Sequence, residues 1–407
     1  MPPQRRPGGT TTRQHQKTEK ENAMRRQLIT AAAAATALAA PGAVLADEGP
    51  TVYGFVNLSV DYEGYDGAPG SEDGDVAMNT GLSHFGFRGS ETLDNGMEAI
   101  YQAEVGWTYT GDSTGTPGEN GGTLKDGNDN TVTLAGEEYT VEDDWITQSR
   151  DSFVGLRGDF GQVTFGRQSA ANQFVYDGPG KEWVAQVGTP AGAIHMGMPS
   201  RYNNMVRYNA PGGQTAGGGE VDAQLSFVPS EGEEPGDHIY NARASYSQGP
   251  ASGAVSLWHA KDASAPLPEG DNTVASLAAR YDLGFVQLGA QASGRDSDAS
   301  DADDMAYSLG MSAPFGDGNR VKAIVTQLSA DADDSDYTTA ALGYDRILSE
   351  RTELRFAVAS TFNDKNSGPE GEGVTPHDYG AYGPSSGVTP AKDETHTTLS
   401  ANLRHSF

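Results

Sequence analysis

The side chains of this sequence that could do chemistry are charged ones, with little sign of nucleophiles or metal ligands. None of the 407 residues is a cysteine, which removes thiolate catalysis, cysteine-ligated metals and disulfides together. Gly178-Pro179-Gly180-Lys181-Glu182 ends in Glu where a phosphate-cradling loop needs Ser or Thr, and no glycine stands five places before Gly180. The eight histidines are scattered at spacings that gather no ligand set. No catalytic residue, metal or cofactor is expected. What remains is a set of basic residues, His84, Arg88, Arg157, Arg167, Arg201 and Arg207, continued by Arg243, Arg280 and Arg355. Two acids, Asp177 and Glu182, are flanked by Tyr176 and Trp183. Fixed cations facing fixed anions across a narrow aqueous slot make a transverse field that orients dipolar solutes and sets an ion preference. These residues can do so only if regular elements turn them toward one interior.

The elements are strands. From Thr51 to Tyr62 one face reads Val52, Gly54, Val56, Leu58, Val60, Tyr62 and the other Tyr53, Phe55, Asn57, Ser59, Asp61. Ala99, Tyr101, Ala103, Val105, Trp107 and Tyr109 alternate in the same way with Glu98, Gln102, Glu104 and Thr108. Sixteen such segments are expected near 52–62, 80–90, 95–109, 147–159, 161–168, 202–210, 219–228, 238–248, 251–260, 272–283, 284–293, 303–313, 319–328, 336–346, 350–361 and 394–407. Short glycine-bearing links such as Asp94-Asn95-Gly96 and Asp282-Leu283-Gly284 alternate with long acidic ones such as Thr110 to Asp144 and Asn363 to Asp393. Sorting of links by parity, with an even strand number, is the pattern of an antiparallel transmembrane β-barrel that has short periplasmic turns and long external loops. Sixteen strands enclose water and not a packed core.

Parity then assigns faces. With Phe85 and Phe87 toward lipid, His84 and Arg88 face the lumen. Val154 and Leu156 outward turn Arg157 inward, and Val206 and Tyr208 outward turn Arg201 and Arg207 inward together. Strict alternation from Val163 and Phe165 would leave Arg167 in lipid, at a cost of about 2 to 4 kcal/mol near the midplane; a bulge at Gly166 is expected to return it to the lumen. Trp107, Tyr109, Tyr246, Tyr281, Tyr344 and Phe407 fall at strand ends, as interfacial girdles do.

Residues 1–23 read as a disordered extension or a mis-assigned start. Residues 24–46 read as a signal peptide: Arg25 and Arg26, an Ala/Leu-rich stretch, then Val44-Leu45-Ala46. The barrel is expected over 47–407, which holds 20 basic and 54 acidic residues, a formal charge of −34. That charge excludes nucleic acid as a partner. Asp301-Ala302-Asp303-Asp304 and Asp331-Ala332-Asp333-Asp334 lack the glycine and closing glutamate of a calcium loop and read as solvated charge.

Several segments resemble general-diffusion porins of Gram-negative bacteria. Ser83-His84-Phe85-Gly86-Phe87-Arg88-Gly89-Ser90-Glu91 is similar to the family's second strand. Arg150-Asp151-Ser152-Phe153-Val154-Gly155-Leu156-Arg157-Gly158-Asp159-Phe160-Gly161 resembles the hairpin before its constriction loop, Arg201 to Tyr208 its sixth strand, and Leu403-Arg404-His405-Ser406-Phe407 its terminal strand. The resemblance implies a homotrimer in outer-membrane lipid and lipopolysaccharide, and a third loop, about Ser169 to Ser200, folded inward. Asp177 and Glu182 on that loop would oppose the basic wall. It also implies a basic residue at Arg167 and reading of Phe407 by the barrel-assembly machinery. His84 stands where the family more often has Arg. One permanent charge fewer, with the acidity of the chain, gives an expectation of cation preference. A solute-selective or receptor-type barrel is the alternative, and a secreted soluble β-protein a third.

Overall fold

The computed structural model describes residues 50–66, 75–107, 133–134, 137–138, 146–170, 187–229, 238–263, 267–299, 302–365 and 395–407. The N-terminal extension, the signal peptide, Asp177, Glu182 and Tyr109 lie outside the described residues.

One hydrogen-bonded sheet of 19 strand pieces holds almost all regular structure. Two staves are each broken into two pieces and one piece is a two-residue ribbon, Gly213–Gln214, so sixteen staves remain. They are β1 (Thr51–Asp66), β2 (Asp75–Asn79 and His84–Thr92), β3 (Glu98–Trp107), β4 (Ile146–Ser149 and Ser152–Gly158), β5 (Gly161–Ser169), β6 (Arg201–Asn209), β7 (Glu220–Val228) and β8 (His238–Gln248). The second half is β9 (Ala251–Ala263), β10 (Gly270–Asp282), β11 (Gln287–Ser297), β12 (Met305–Phe315), β13 (Asn319–Ser329), β14 (Tyr337–Ile347), β15 (Thr352–Asn363) and β16 (Thr395–Ser406). Each stave pairs antiparallel with the next, and β16 pairs with β1 from Ser406↔Phe55 to Thr395↔Asp66. The sheet is therefore a closed sixteen-stranded antiparallel barrel, as the alternation led one to expect.

The two faces obey opposite rules. Val60, Phe87, Val154, Phe165, Leu225, Leu309, Leu342 and Leu399 point outward and are exposed, Val154 and Leu342 at 62%. Asn57, Ser276, Ser293, Thr326, Thr361, Ser400 and Asn402 point inward and are buried. A contiguous apolar exterior around a polar interior inverts the soluble arrangement and matches a lipid solvent outside. No helix among the described residues is long and apolar enough to cross a membrane; the strands do it, at nine to thirteen residues for most staves. Hydroxyl rungs tie neighbouring staves on the inner face: Ser276 to Ser293 at 2.8 Å, Ser308 to Thr326 at 2.9 Å, Thr339 to Thr361 at 2.8 Å.

Two glycines are dictated by the backbone. Gly284 sits at φ +85 in the β10–β11 turn, where the Asp282 carboxylate accepts from the Gly284 N–H at 2.7 Å and the Gln287 amide at 3.1 Å. At Gly54 three staves meet. A Cβ there would lie 2.3 Å from the His84 backbone oxygen and 3.1 Å from the Phe407 ring. Gly54 and Phe407 exchange both backbone hydrogen bonds, at 3.0 and 3.2 Å, which pins the chain terminus to the first stave.

Candidate pore wall

Alternation on β1, β2 and β3 turns Tyr53, His84, Arg88 and Glu104 to the inner face, and long side chains let them meet across the pleat. The Tyr53 hydroxyl donates to Glu104 Oε2 at 2.8 Å, Arg150 Nε donates to Glu104 Oε1 at 2.5 Å, and His84 Nε2 lies 3.9 Å from Glu104. Arg88 pairs with no carboxylate among the described residues; its guanidinium lies 4.7 Å over the Tyr53 ring. Further round, Arg201 Nε is 2.6 Å from Asp151 Oδ1, which also accepts from the Ser169 hydroxyl at 2.8 Å. Arg207 lies 5.6 Å over the Phe153 ring and reaches the Ser169 carbonyl at 3.5 Å.

A second charged cluster lines β13 to β16. Lys322, 2% exposed, is 2.8 Å from Asp345, itself fully buried. Arg320 Nε donates to Asp345 at 3.0 Å, Arg320 Nη2 lies 3.6 Å from Glu353, and Arg355 pairs with Glu353. Arg404 lies 4.2 Å over the Phe55 ring. Phe55 touches His84, ring centres 4.4 Å apart, so the two clusters join through the β16–β1–β2 seam into one belt. In the first cluster Arg88, Arg150, Arg201 and Arg207 share two carboxylates, Glu104 paired with Arg150 and Asp151 paired with Arg201. In the second, Arg320, Lys322, Arg355 and Arg404 face two, Asp345 and Glu353. Within these two clusters the fixed cations outnumber the carboxylates, while the inner face of β1 adds the buried acids Asp61 and Glu63 beyond them.

The inner face is also touched by the segment before β6. A one-turn helix, α1 (Ala191–His195), ends at Met196 in the left-handed region. Ile194, Met196 and Met198 pack with Tyr202, Met205, Val228, Ile239, Trp258, Val274 and Tyr337. The Trp258 indole donates to the Tyr202 hydroxyl at 2.8 Å. Val187 packs against Ile324, Ala341, Ala357 and Ala359, inner-face residues of β13, β14 and β15. Arg295 on β11 fastens this segment: it donates to the Met196 carbonyl at 3.1 Å and the Ala302 carbonyl at 2.8 Å, and pairs with Asp304. Asp304 in turn accepts from the Asp331 N–H at 3.0 Å.

Of the residues singled out from sequence, His84, Arg88 and Arg207 share the inner face and the belt. Arg157 is on the inner face too, but one residue from the Gly158–Gly161 turn, where it pairs with Glu98 at 2.5 Å; it lines the turn-side mouth and not a mid-height ring. Arg167 departs from expectation. The β4–β5 ladder runs without a bulge through Gly166 to Arg167↔Ser152, so Arg167 keeps the face of Val163 and Phe165, and it donates to Asn203 at 2.8 Å. The bulge lies instead on β6, between Tyr202 and Met205, with Asn204 at φ +52. It puts Tyr202 on the face of Met205 and Arg207, so parity no longer couples Arg201 to Arg207, and Arg201 is held by Asp151. Arg243, Arg280 and Arg355 hold inner-face register. Sequence reasoning missed Arg150, Arg404, Lys322 and Arg320. For Arg404 and Lys322 the signal was present, since both alternate with outward apolar residues.

A closed sixteen-stranded barrel with an apolar belt outside and a charged wall within defines a channel-type outer-membrane protein. The family model of the Gram-negative porin matches residues 30–366, and the chain belongs to that family. Outer membrane porin protein 32 of Delftia acidovorans is 27% identical over 393 residues, covering 91% of this chain and 97% of its own. The major outer membrane protein P.IB of Neisseria meningitidis serogroup B is 30% identical over 136 residues, 32% of this chain and 31% of its own. Among solved structures, the anion-selective porin from Comamonas acidovorans aligns over 88% of this chain and 99% of its own, with a TM-score of 0.63 at 23% identity. Outer-membrane expressed OmpT of Vibrio cholerae aligns over 90% and 100%, with a TM-score of 0.58 at 13% identity.

Proposed function

We propose that this porin is a water-filled channel for passive diffusion of small hydrophilic solutes and ions across the outer membrane, and that its wall favours anions. The observation that carries the reading is the joined belt from Lys322 through Arg404 and Arg88 to Arg207, in which guanidinium and ammonium groups outnumber carboxylates. An ion in the pore feels wall charges within about a Debye length, ~8 Å at physiological salt, far more than charges on outer links. The formal charge of −34 therefore gives no support to cation preference: much of it belongs to the long acidic links. The anion selectivity of the Comamonas acidovorans porin agrees in direction.

The same reading includes a third loop folded into the channel. Ala170, just past the end of β5, belongs to the same inner apolar cluster as Ile194 and Met196, and Val187 packs on inner-face residues of β13 to β15, which supports a loop that turns inward. Asp177 and Glu182 on that stretch would oppose the basic wall. Assembly as a homotrimer in lipid and lipopolysaccharide, export through a signal peptide ending near Ala46, and recognition of Phe407 by the barrel-assembly machinery complete the proposal. One relative by fold is described in a trimer form. Reversal potentials in a potassium chloride gradient across a planar bilayer test the ion preference. Anion-side reversal supports the reading, and cation-side reversal refutes it.

A further inference from the structure

Three inner-face arginines lie on aromatic rings instead of carboxylates: Arg404 on Phe55 at 4.2 Å, Arg88 on Tyr53 at 4.7 Å and Arg207 on Phe153 at 5.6 Å. None of the three forms a salt bridge among the described residues. The first two belong to one strip. The Phe55 and His84 ring centres are 4.4 Å apart at 68°, and those of Tyr53 and His84 are 6.5 Å apart at 70°. The seam thus reads Arg404, Phe55, His84, Tyr53, Arg88 across adjacent staves. This differs in kind from the neighbouring Lys322–Asp345 and Arg355–Glu353 pairs, where each cation is already neutralised.

A guanidinium whose carbon sits 4.2 to 4.7 Å over a ring spends part of its surface on that ring, and the rest of its planar surface is what a solute would meet. Its N–H groups radiate in the plane and can fork onto a carboxylate. The weakly hydrated guanidinium plane stacks on flat conjugated groups, which an ammonium cannot do. The underlying ring restricts where the guanidinium sits before a solute arrives, which lowers the ordering cost of binding. We infer that the Arg404–Phe55–His84–Tyr53–Arg88 strip is a binding track for small planar aromatic carboxylates. One guanidinium edge takes the carboxylate, and the remaining guanidinium surface takes the ring. The inference rests on the anion-favouring reading of the channel and adds a substrate class to it.

The test compares benzoate with cyclohexanecarboxylate, equal in charge and close in size but not flat, as blockers of chloride current through the purified full-length protein in planar bilayers. Half-block by benzoate is expected at a concentration about tenfold lower. Arg404→Lys keeps the charge and loses the plane, and Phe55→Leu removes the ring under it; each is expected to bring the two half-block concentrations within about twofold. A heat-modifiable band on gel electrophoresis shows that each variant is folded. Equal block by the two acids in the unaltered protein, with reversal still on the anion side, overturns the track alone. So does a tenfold preference that survives both substitutions in folded protein. Reversal on the cation side overturns the anion-favouring reading beneath it.

Discussion

Arg88 is the most direct handle on the wall, because it faces the lumen, is exposed and is neutralised by no acid among the described residues. A unit charge about 5 Å from a passing ion in water contributes about 0.8 kcal/mol. That energy favours an anion and disfavours a cation alike, and screening at a Debye length of ~8 Å roughly halves it, so Arg88→Ala should lower the anion-to-cation permeability ratio about four- to fivefold, read as a shift of reversal potential at fixed gradient. Glu104→Gln should act in the other direction. It removes one negative charge from the belt, the carboxylate shared by Tyr53, Arg150 and His84, so reversal moves further to the anion side. Whether a side chain faces inward was legible at most of these positions because a strand has period two. Which partner it meets was not. Arg404 and Phe55 stand at opposite ends of the chain and touch only because the last stave closes on the first, and Arg201 escapes parity through a bulge that Asn203 and Asn204 do not announce.

At the scale of elements, two features hold the channel's shape. Arg295 satisfies two carbonyls and one carboxylate and joins the segment before β6 to the far wall. Arg295→Leu leaves Asp304 without its cation, with the Asp331 N–H still donating to it, and removes the Arg295 donor from the Met196 carbonyl. Such a change costs about 3 to 5 kcal/mol when the pair is buried, less here for a wall that meets water. Larger and noisier single-channel conductance is the expected outcome; an unchanged conductance histogram would mean the segment is held by its apolar packing alone. At Gly54 the closure of the barrel leaves no room for a side chain. Gly54→Val should slow or prevent folding in detergent micelles, scored by loss of the heat-modifiable band. The number of staves and most of their limits follow from alternation. Their height relative to one another does not, which is why Arg157 sits at the turn-side mouth beside Glu98 and not among the mid-height cations.

For the whole molecule, solvent identity on each face is the organising fact. Leu342, outward and 62% exposed, is in contact with lipid by this account. Leu342→Arg should then destabilise the barrel by about 2 to 4 kcal/mol, measured by urea unfolding in lipid vesicles; a loss below about 0.5 kcal/mol would argue that this face meets water. Composition alone carries no ion preference at this scale because a total charge has no position: many of the acids lie in the long links, whereas the clustered arginines of β2, β6, β13, β15 and β16 lie on the inner wall. The measurement that tests the central claim most directly is the reversal potential of the unaltered, detergent-extracted protein in a potassium chloride gradient across a planar bilayer. The account predicts stepwise channel insertion with reversal on the anion side. Reversal on the cation side, or no channels from protein that stays folded without detergent, would contradict it.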